Sequence, residues 1–177
     1  MCNLMIKPKI LQIIGYAGTG KTTIICLLLE KLSKENFNCA TIKSSRKHSY
    51  SFSKKDSDEF LKAGSNLSIV VLDNTTQITI NEQIKLQQLI TEISNICNPD
   101  FLIIEGFKDE KYPKLVIWAE KILDEAIDFT SIKFLYCNSN DYESNKLVID
   151  EFVSKYDILF STELNKTLQN ILEYFIS

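Results

Sequence analysis

Apolar residues along this chain fall into two periods. The run Ile10-Leu11-Gln12-Ile13-Ile14 is short and nearly continuous, and after a glycine-rich gap Ile24, Ile25, Leu28, Leu29 and Leu32 recur at helical spacing as far as Asn36. The first pattern predicts a buried strand and the second an amphipathic helix that stops at Asn36. Phe37 to Ile42 reads as a second strand. A short helix is expected over Asp56 to Ala63, with Ser57 as its cap and Gly64 as its terminator. Leu67 to Leu72 and Thr75 to Ile80 read as an antiparallel hairpin turning through Asp73-Asn74. A helix from Asn81 closes at Cys97, before Asn98-Pro99. Phe101 to Gly106, Lys114 to Trp118 and Ile132 to Cys137 read as strands, and Asn145 to Tyr156 as a helix. Asp157 to Phe160 then leads into a last helix, whose stripe Leu164, Leu168, Ile171, Leu172 and Phe175 reads as core packing.

The gap between the first strand and the first helix carries the chemistry. Gly15-Tyr16-Ala17-Gly18-Thr19-Gly20-Lys21-Thr22 fits the pattern G-x-x-x-x-G-K-[ST], a P-loop. Its physical basis is the order strand, loop, helix, in which main-chain N–H groups converge on a phosphate at the positive end of the helix dipole. Downstream, Phe101-Leu102-Ile103-Ile104 delivers Glu105 to the end of a buried strand, the shape of a Walker B element. Glutamate in place of the usual aspartate can reach Mg²⁺ through a bound water, since magnesium keeps several. Together these predict an α/β P-loop NTPase fold, a three-layer sandwich with a mostly parallel sheet and an antiparallel hairpin. One nucleotide-binding domain over residues 1–177 is expected.

Composition narrows the function. With 45% hydrophobic and 24% charged residues and a net charge of −3, the chain is of ordinary globular type and lacks the basic footprint of a general nucleic-acid binder. No apolar run approaches membrane-spanning length, which leads to the expectation of a cytoplasmic protein with no membrane partner. The five cysteines form no CxxC pair and read as small buried hydrophobes in a reducing compartment. Against this acidic background the segment 43–55 carries Lys43, Arg46, Lys47, Lys54 and Lys55 and no acid, together with His48, the only histidine. It reads as a basic loop, which fits either a solvated lysine-rich surface or a docking place for an anionic ligand.

The P-loop, Ile42-Lys43, Lys55-Asp56-Ser57, Ala63-Gly64, Glu105-Gly106-Phe107-Lys108 and Pro113-Lys114 occur in an order that resembles the MobB family, the adapter proteins of molybdopterin-guanine dinucleotide biosynthesis. The resemblance runs over about residues 8–160, and E-G-F-K followed by P-K is its most particular part. It implies a GTP-binding, usually homodimeric α/β protein that assists the molybdopterin guanylyltransferase, with slow intrinsic GTP hydrolysis. By the same resemblance Gly15, Ala17, Gly18, Thr19, Gly20, Lys21, Thr22 and Thr23 hold the phosphates of GTP. Thr22 and Glu105 hold Mg²⁺, Lys43, Asp56 and Ser57 lie near the nucleotide, and Lys108 contacts an anion. Molybdopterin or another anionic ligand would meet the 43–55 loop. The family pattern places a histidine directly after the strand-two lysine, then further histidines and an aspartate; here Ser44 stands first and His48 alone remains. Arg46 and Lys47 could substitute there only as anion holders.

Guanine choice rests on less. Asn138-Ser139-Asn140-Asp141 follows a strand and partly matches the N-K-x-D base reader, with Asp141 as acceptor for the guanine N–H groups. The lysine is absent, and a polar strand-to-helix turn accounts for the same residues. Mechanistically, Lys21 and the loop amides would neutralise the β- and γ-phosphates while Thr22 and a water held by Glu105 complete the magnesium shell, which makes Lys21 and Glu105 the candidate catalytic residues. No residue stands out to orient an attacking water, so slow turnover is expected. Two alternatives share the P-loop. A small-molecule kinase would commonly spend several arginines on the transferring phosphoryl, and this chain has one; a metal-insertion GTPase would want a histidine or cysteine cluster. The Thr75 to Ile80 strand is a candidate dimerisation edge.

Overall fold

Strand β1 (Lys9–Ile14) runs through the middle of a six-stranded sheet, and its two faces explain the two hydrophobic cores found among the described residues. The computed structural model describes residues 7–45, 56–124 and 127–176, and Arg46, Lys47, His48, Lys54 and Lys55 of the basic segment, with Cys2, lie outside them. The chain divides into two compact units, one of Met1–Ser44 with Ile93–Ser177 and one of Ser45–Glu92.

In the first unit the chain passes from β1 through α1 (Lys21–Lys34) to β2 (Cys39–Lys43). After the second unit it continues through β5 (Phe101–Glu105), β6 (Lys114–Ile117), β7 (Ile132–Tyr136), α4 (Ser139–Tyr156), β8 (Leu159–Ser161) and α5 (Leu164–Ile176). The sheet order is β2-β5-β1-β6-β7-β8, and every neighbouring pair is parallel. Alternation along the strands sorts the side chains. Leu11, Ile13, Phe101, Ile103 and Leu115 pack with Ile24, Leu28 and Leu32 of α1 and Leu168 and Ile171 of α5. Ile14, Val116 and Leu135 pack on the opposite face with Ile149 and Phe152 of α4. Helices on both faces of a parallel sheet make the three-layer α/β sandwich that the strand and helix periods imply.

Helix ends fall where the local chemistry puts them. Asn36 adopts the left-handed conformation (φ 64°), and Phe37 N–H donates to Leu32 O (3.0 Å) while Asn36 N–H donates to Ser33 O (3.0 Å), a Schellman closure of α1. In the second unit, α2 (Asp56–Lys62) ends the same way at Gly64 (φ 112°), with Ser65 N–H on Phe60 O and Gly64 N–H on Leu61 O. β3 (Leu67–Val71) and β4 (Thr76–Ile80) pair antiparallel, and Leu72 and Thr75 exchange hydrogen bonds around Asp73-Asn74, the two-residue turn expected. α3 (Leu86–Cys97) runs across the boundary of the units as numbered.

Four expectations are corrected. α2 already begins at Asp56, so Ser57 lies within its first turn and is not its cap. α3 starts at Leu86 instead of Asn81, because the hairpin strand extends to Ile80 and a bend follows. α4 starts at Ser139 and not at Asn145; the Asn138 side chain caps it, and the non-helical Asn145 (φ −124°) marks the kink at which apolar periodicity resumes. Of the described cysteines only Cys137 is buried, Cys39 is half-buried, and Cys26 and Cys97 are exposed. Thiols on the outer face of an amphipathic helix satisfy no packing demand, and the apolar neighbours in sequence point elsewhere.

Candidate functional site

Parallel register sets the site. Glu105, last residue of β5, pairs with Ile13 on one side and with Lys43 on the other, so the loop after β1, the β5 carboxylate and the end of β2 meet at the same sheet edge. That carboxyl edge is where doubly wound folds bind ligands.

The loop 15–20 then turns into α1. Gly15 is forced by close approach: a β-carbon there would lie 3.0 Å from Thr19 Oγ1, 3.2 Å from Ile117 Cβ and 3.3 Å from Ile117 O. Gly20 is forced by conformation, since it holds φ 86° at the helix N-cap. No side chain caps α1 and no acid stands in its first turn. Forgoing a cap costs about 1 kcal/mol, outweighed by burying Ile24, Ile25, Leu28 and Leu32 at about 2 kcal/mol each. The uncapped N–H groups and the positive helix end are therefore left for an external anion. Ala17, Gly18, Gly20, Thr22 and Thr23 are exposed, and Thr19 is half-buried with its hydroxyl on Tyr16 O (2.8 Å). Lys21 folds back over the loop, Nζ donating to Gly15 O (2.9 Å) and Tyr16 O (2.6 Å). This is a cradle shaped for polyphosphate, and its donor set of amides, an ammonium and the Thr22 hydroxyl fits a magnesium-bound nucleotide.

Beside the cradle, the side chain of Glu105 is 12% exposed and its Oε2 lies 3.0 Å from Lys43 Nζ, whose side chain is 57% exposed. The following segment, residues 106–113, carries the chain from β5 to β6, the two strands that flank β1. Gln12 is fully buried between them and donates through Nε2 to Gly106 O (2.7 Å) and to Phe107 O. Lys114 is also fully buried, and its Nζ donates to Glu110 O, Tyr112 O (3.4 Å) and Ser131 Oγ (2.8 Å). Since Ser131 Oγ donates onward to Asp128 O (2.7 Å), all three neighbours act as acceptors, as an ammonium requires. Burial pulls the Lys114 pKa down, against the upward pull of Asp128, Glu110 and Asp109. Neither Gln12 nor Lys114 was singled out for a role from sequence. A polar residue inside an apolar strand run is the signal that marks Gln12, and Lys114 carried the resemblance without a function.

The remaining candidates scatter. Lys108 is half-buried in the β5–β6 segment, and Asp56 and Ser57 lie in α2 of the second unit. Asp141 stands in the first turn of α4: its N–H donates to Asn138 Oδ1 (2.9 Å) and its Oδ2 accepts from Asn138 Nδ2 (2.6 Å). That reciprocal pair is a helix cap. Among the described residues no group of three or more His, Cys, Asp and Glu gathers to hold a metal, and no helix is long and apolar enough to cross a membrane.

Comparison with known proteins gives the family. A family model described as molybdopterin guanine dinucleotide synthesis protein B, MobB, matches residues 10–135. The chain is 33% identical over 135 residues to a Bacillus subtilis protein named "Probable molybdopterin-guanine dinucleotide biosynthesis adapter protein", covering 72% of this chain and 76% of that one. To a Haemophilus influenzae molybdopterin-guanine dinucleotide biosynthesis adapter protein it is 30% identical over 117 residues, covering 64% of this chain and 65% of the relative. The crystal structure of Bacillus subtilis MobB superposes with a TM-score of 0.64 at 26% identity, over 80% of this chain and 96% of that chain. With the family model spanning well over half of its length, and with the P-loop and Glu105 strand inside the match, the chain belongs to the MobB family.

Proposed function

We propose that this chain is a GTP·Mg²⁺-binding adapter of molybdopterin-guanine dinucleotide biosynthesis that assists a molybdopterin guanylyltransferase in the cytoplasm. The observation that carries the nucleotide assignment is the uncapped, acid-free start of α1 set beside Glu105 at one sheet edge. The amides of residues 18–23 would take the phosphate oxygens. Lys21, two of whose donors already bind loop carbonyls, keeps its third for the β/γ-phosphates. Thr22 and Glu105 would hold Mg²⁺, which when bound supplies counter-charge for the triphosphate. Turnover is slow on this reading, because no residue of the P-loop edge stands out to orient an attacking water; the Nε2 donors of Gln12, the polar side chain buried under the site, go to the Gly106 and Phe107 carbonyls.

The hairpin supplies a homodimer surface. Register pairs Leu67 with Ile80 and Ile69 with Ile78 on one face, and all four are exposed, with Val71 beside them at 76% exposure. Burial of such a stripe in a second copy would remove the exposed apolar area. A sedimentation profile of a monomer would reject that part.

Calorimetry tests the nucleotide assignment. GTP·Mg²⁺ should bind, and Lys21→Ala should weaken it about tenfold or more (~1.4 kcal/mol); unchanged affinity would refute the P-loop role. Capture of a molybdopterin guanylyltransferase, with and without GTP, tests the adapter role.

A further inference from the structure

Glu105 is mostly buried, and its Oε2 is held by an ammonium 3.0 Å away. The geometry points to Lys43 as a built-in stand-in for the divalent cation: it occupies the Glu105 carboxylate when no metal is present and gives it up to the metal, moving its charge to the nucleotide phosphates. This rests on the reading of the edge as a nucleotide site and adds a role for Lys43 beyond proximity to it.

Three observations carry the inference. First, the pair is fixed by backbone. Lys43 and Glu105 are register partners on adjacent strands, and Ser44 N–H donates to Glu105 O (2.9 Å), so the ammonium starts within reach of the carboxylate without searching for it. Second, the exposure is lopsided. A carboxylate only 12% exposed at a sheet edge needs a compensating cation, whereas a lysine 57% exposed loses little packing when it swings away. Third, among the described residues the carboxylate is the one acidic group that the register brings level with the P-loop strand, so a metal-bound water and the Lys43 ammonium would meet at the same carboxylate. Two cations at one carboxylate repel, and the mobile one yields.

Electrostatic exchange of this kind makes opposite predictions for metal and for nucleotide. Removing the ammonium should strengthen divalent binding to the empty site and weaken nucleotide binding in the absence of metal. A lysine that merely neutralises Glu105 would also free the carboxylate for metal when removed, but its loss would leave metal-free nucleotide binding unchanged.

The test uses the full chain and Mn²⁺ as probe, followed by electron paramagnetic resonance without nucleotide, with a parallel GTP titration in chelator. Lys43→Met should raise Mn²⁺ affinity roughly threefold or more, as expected from deleting a partly screened like charge. It should also lower metal-free GTP affinity by a similar factor. Lys43→Arg should behave as the parent, and adding Glu105→Gln should erase the gain in Mn²⁺ affinity. Equal or weaker Mn²⁺ binding by Lys43→Met, including no binding by either protein, overturns the inference, and so does a metal-free GTP affinity that Lys43→Met leaves unchanged. Failure of the parent chain to bind GTP·Mg²⁺ sinks the nucleotide reading instead, and the metal arm reads Lys43 independently of it.

Discussion

A β-carbon built on Gly106 would lie 3.0 Å from the Ser44 β-carbon, closer than such atoms usually approach. Gly106 also holds φ 93°, where L side chains are strained. Because the contact is with a β-carbon, the requirement would stand whatever side chain followed Lys43. Gly106→Ala should therefore cost about 2 kcal/mol, the sum of a left-handed penalty and a steric shift, read from urea denaturation. A change below a few tenths would show that the β2–β5 edge can part without loss.

Lys114 predicts a second loss. Lys114→Met keeps the stem but leaves Ser131 Oγ and two carbonyls of the β5–β6 segment without their donor. About 2 kcal/mol of destabilisation is expected, reduced by whatever the buried charge itself cost. The sign of the pH effect is separate: burial lowers the folded pKa, so between it and the unfolded value the unfolded chain binds more protons. Lys114 thus makes stability rise with pH in that window, and the Met variant should lack the rise.

Cys137 acts in the opposite sense. Burial, with Asp141 adding to it, raises its thiol pKa from 9.0 to about 11. Between those values the unfolded thiol ionises and the folded one does not, so its contribution is complete below pH 9.0 and is lost as pH rises toward about 11. At pH 8 a thiol reagent should modify exposed Cys26 and Cys97 well before Cys137, as mapped by mass spectrometry. Equal labelling of all three would contradict the burial.

Asp141 separates capping from base reading. If its carboxylate serves Asn138 at the start of α4, Asp141→Ala should cost about 0.5–1 kcal/mol of stability and leave the ratio of GTP to ATP affinity unchanged. A drop in that ratio with stability intact would assign it to guanine.

What was legible in sequence follows the range of each interaction. Gly15 to Thr22 could be read because a phosphate cradle is made by consecutive main-chain groups, and the Schellman stops at Asn36 and Gly64 because a helix end is decided within six residues. Glu105 could be read because a continuous apolar run must be a buried strand and its acid must stand at an end. The α4 start was missed because the polar residues 139–144 carry no apolar period, and only the Asn138 cap reveals that they are helical.

The sequence by itself determined the strand, loop and helix of the P-loop and the alternation that divides two cores, since both arise from local periodicity and from glycine where no β-carbon fits. Only the tertiary structure decided that β5 lies between β1 and β2, and with that order came the Lys43 and Glu105 pair and the burial of Gln12 and Lys114. Those contacts join residues tens of positions apart. Their pairing is set by strand register, a long-range choice that no window of the chain encodes alone.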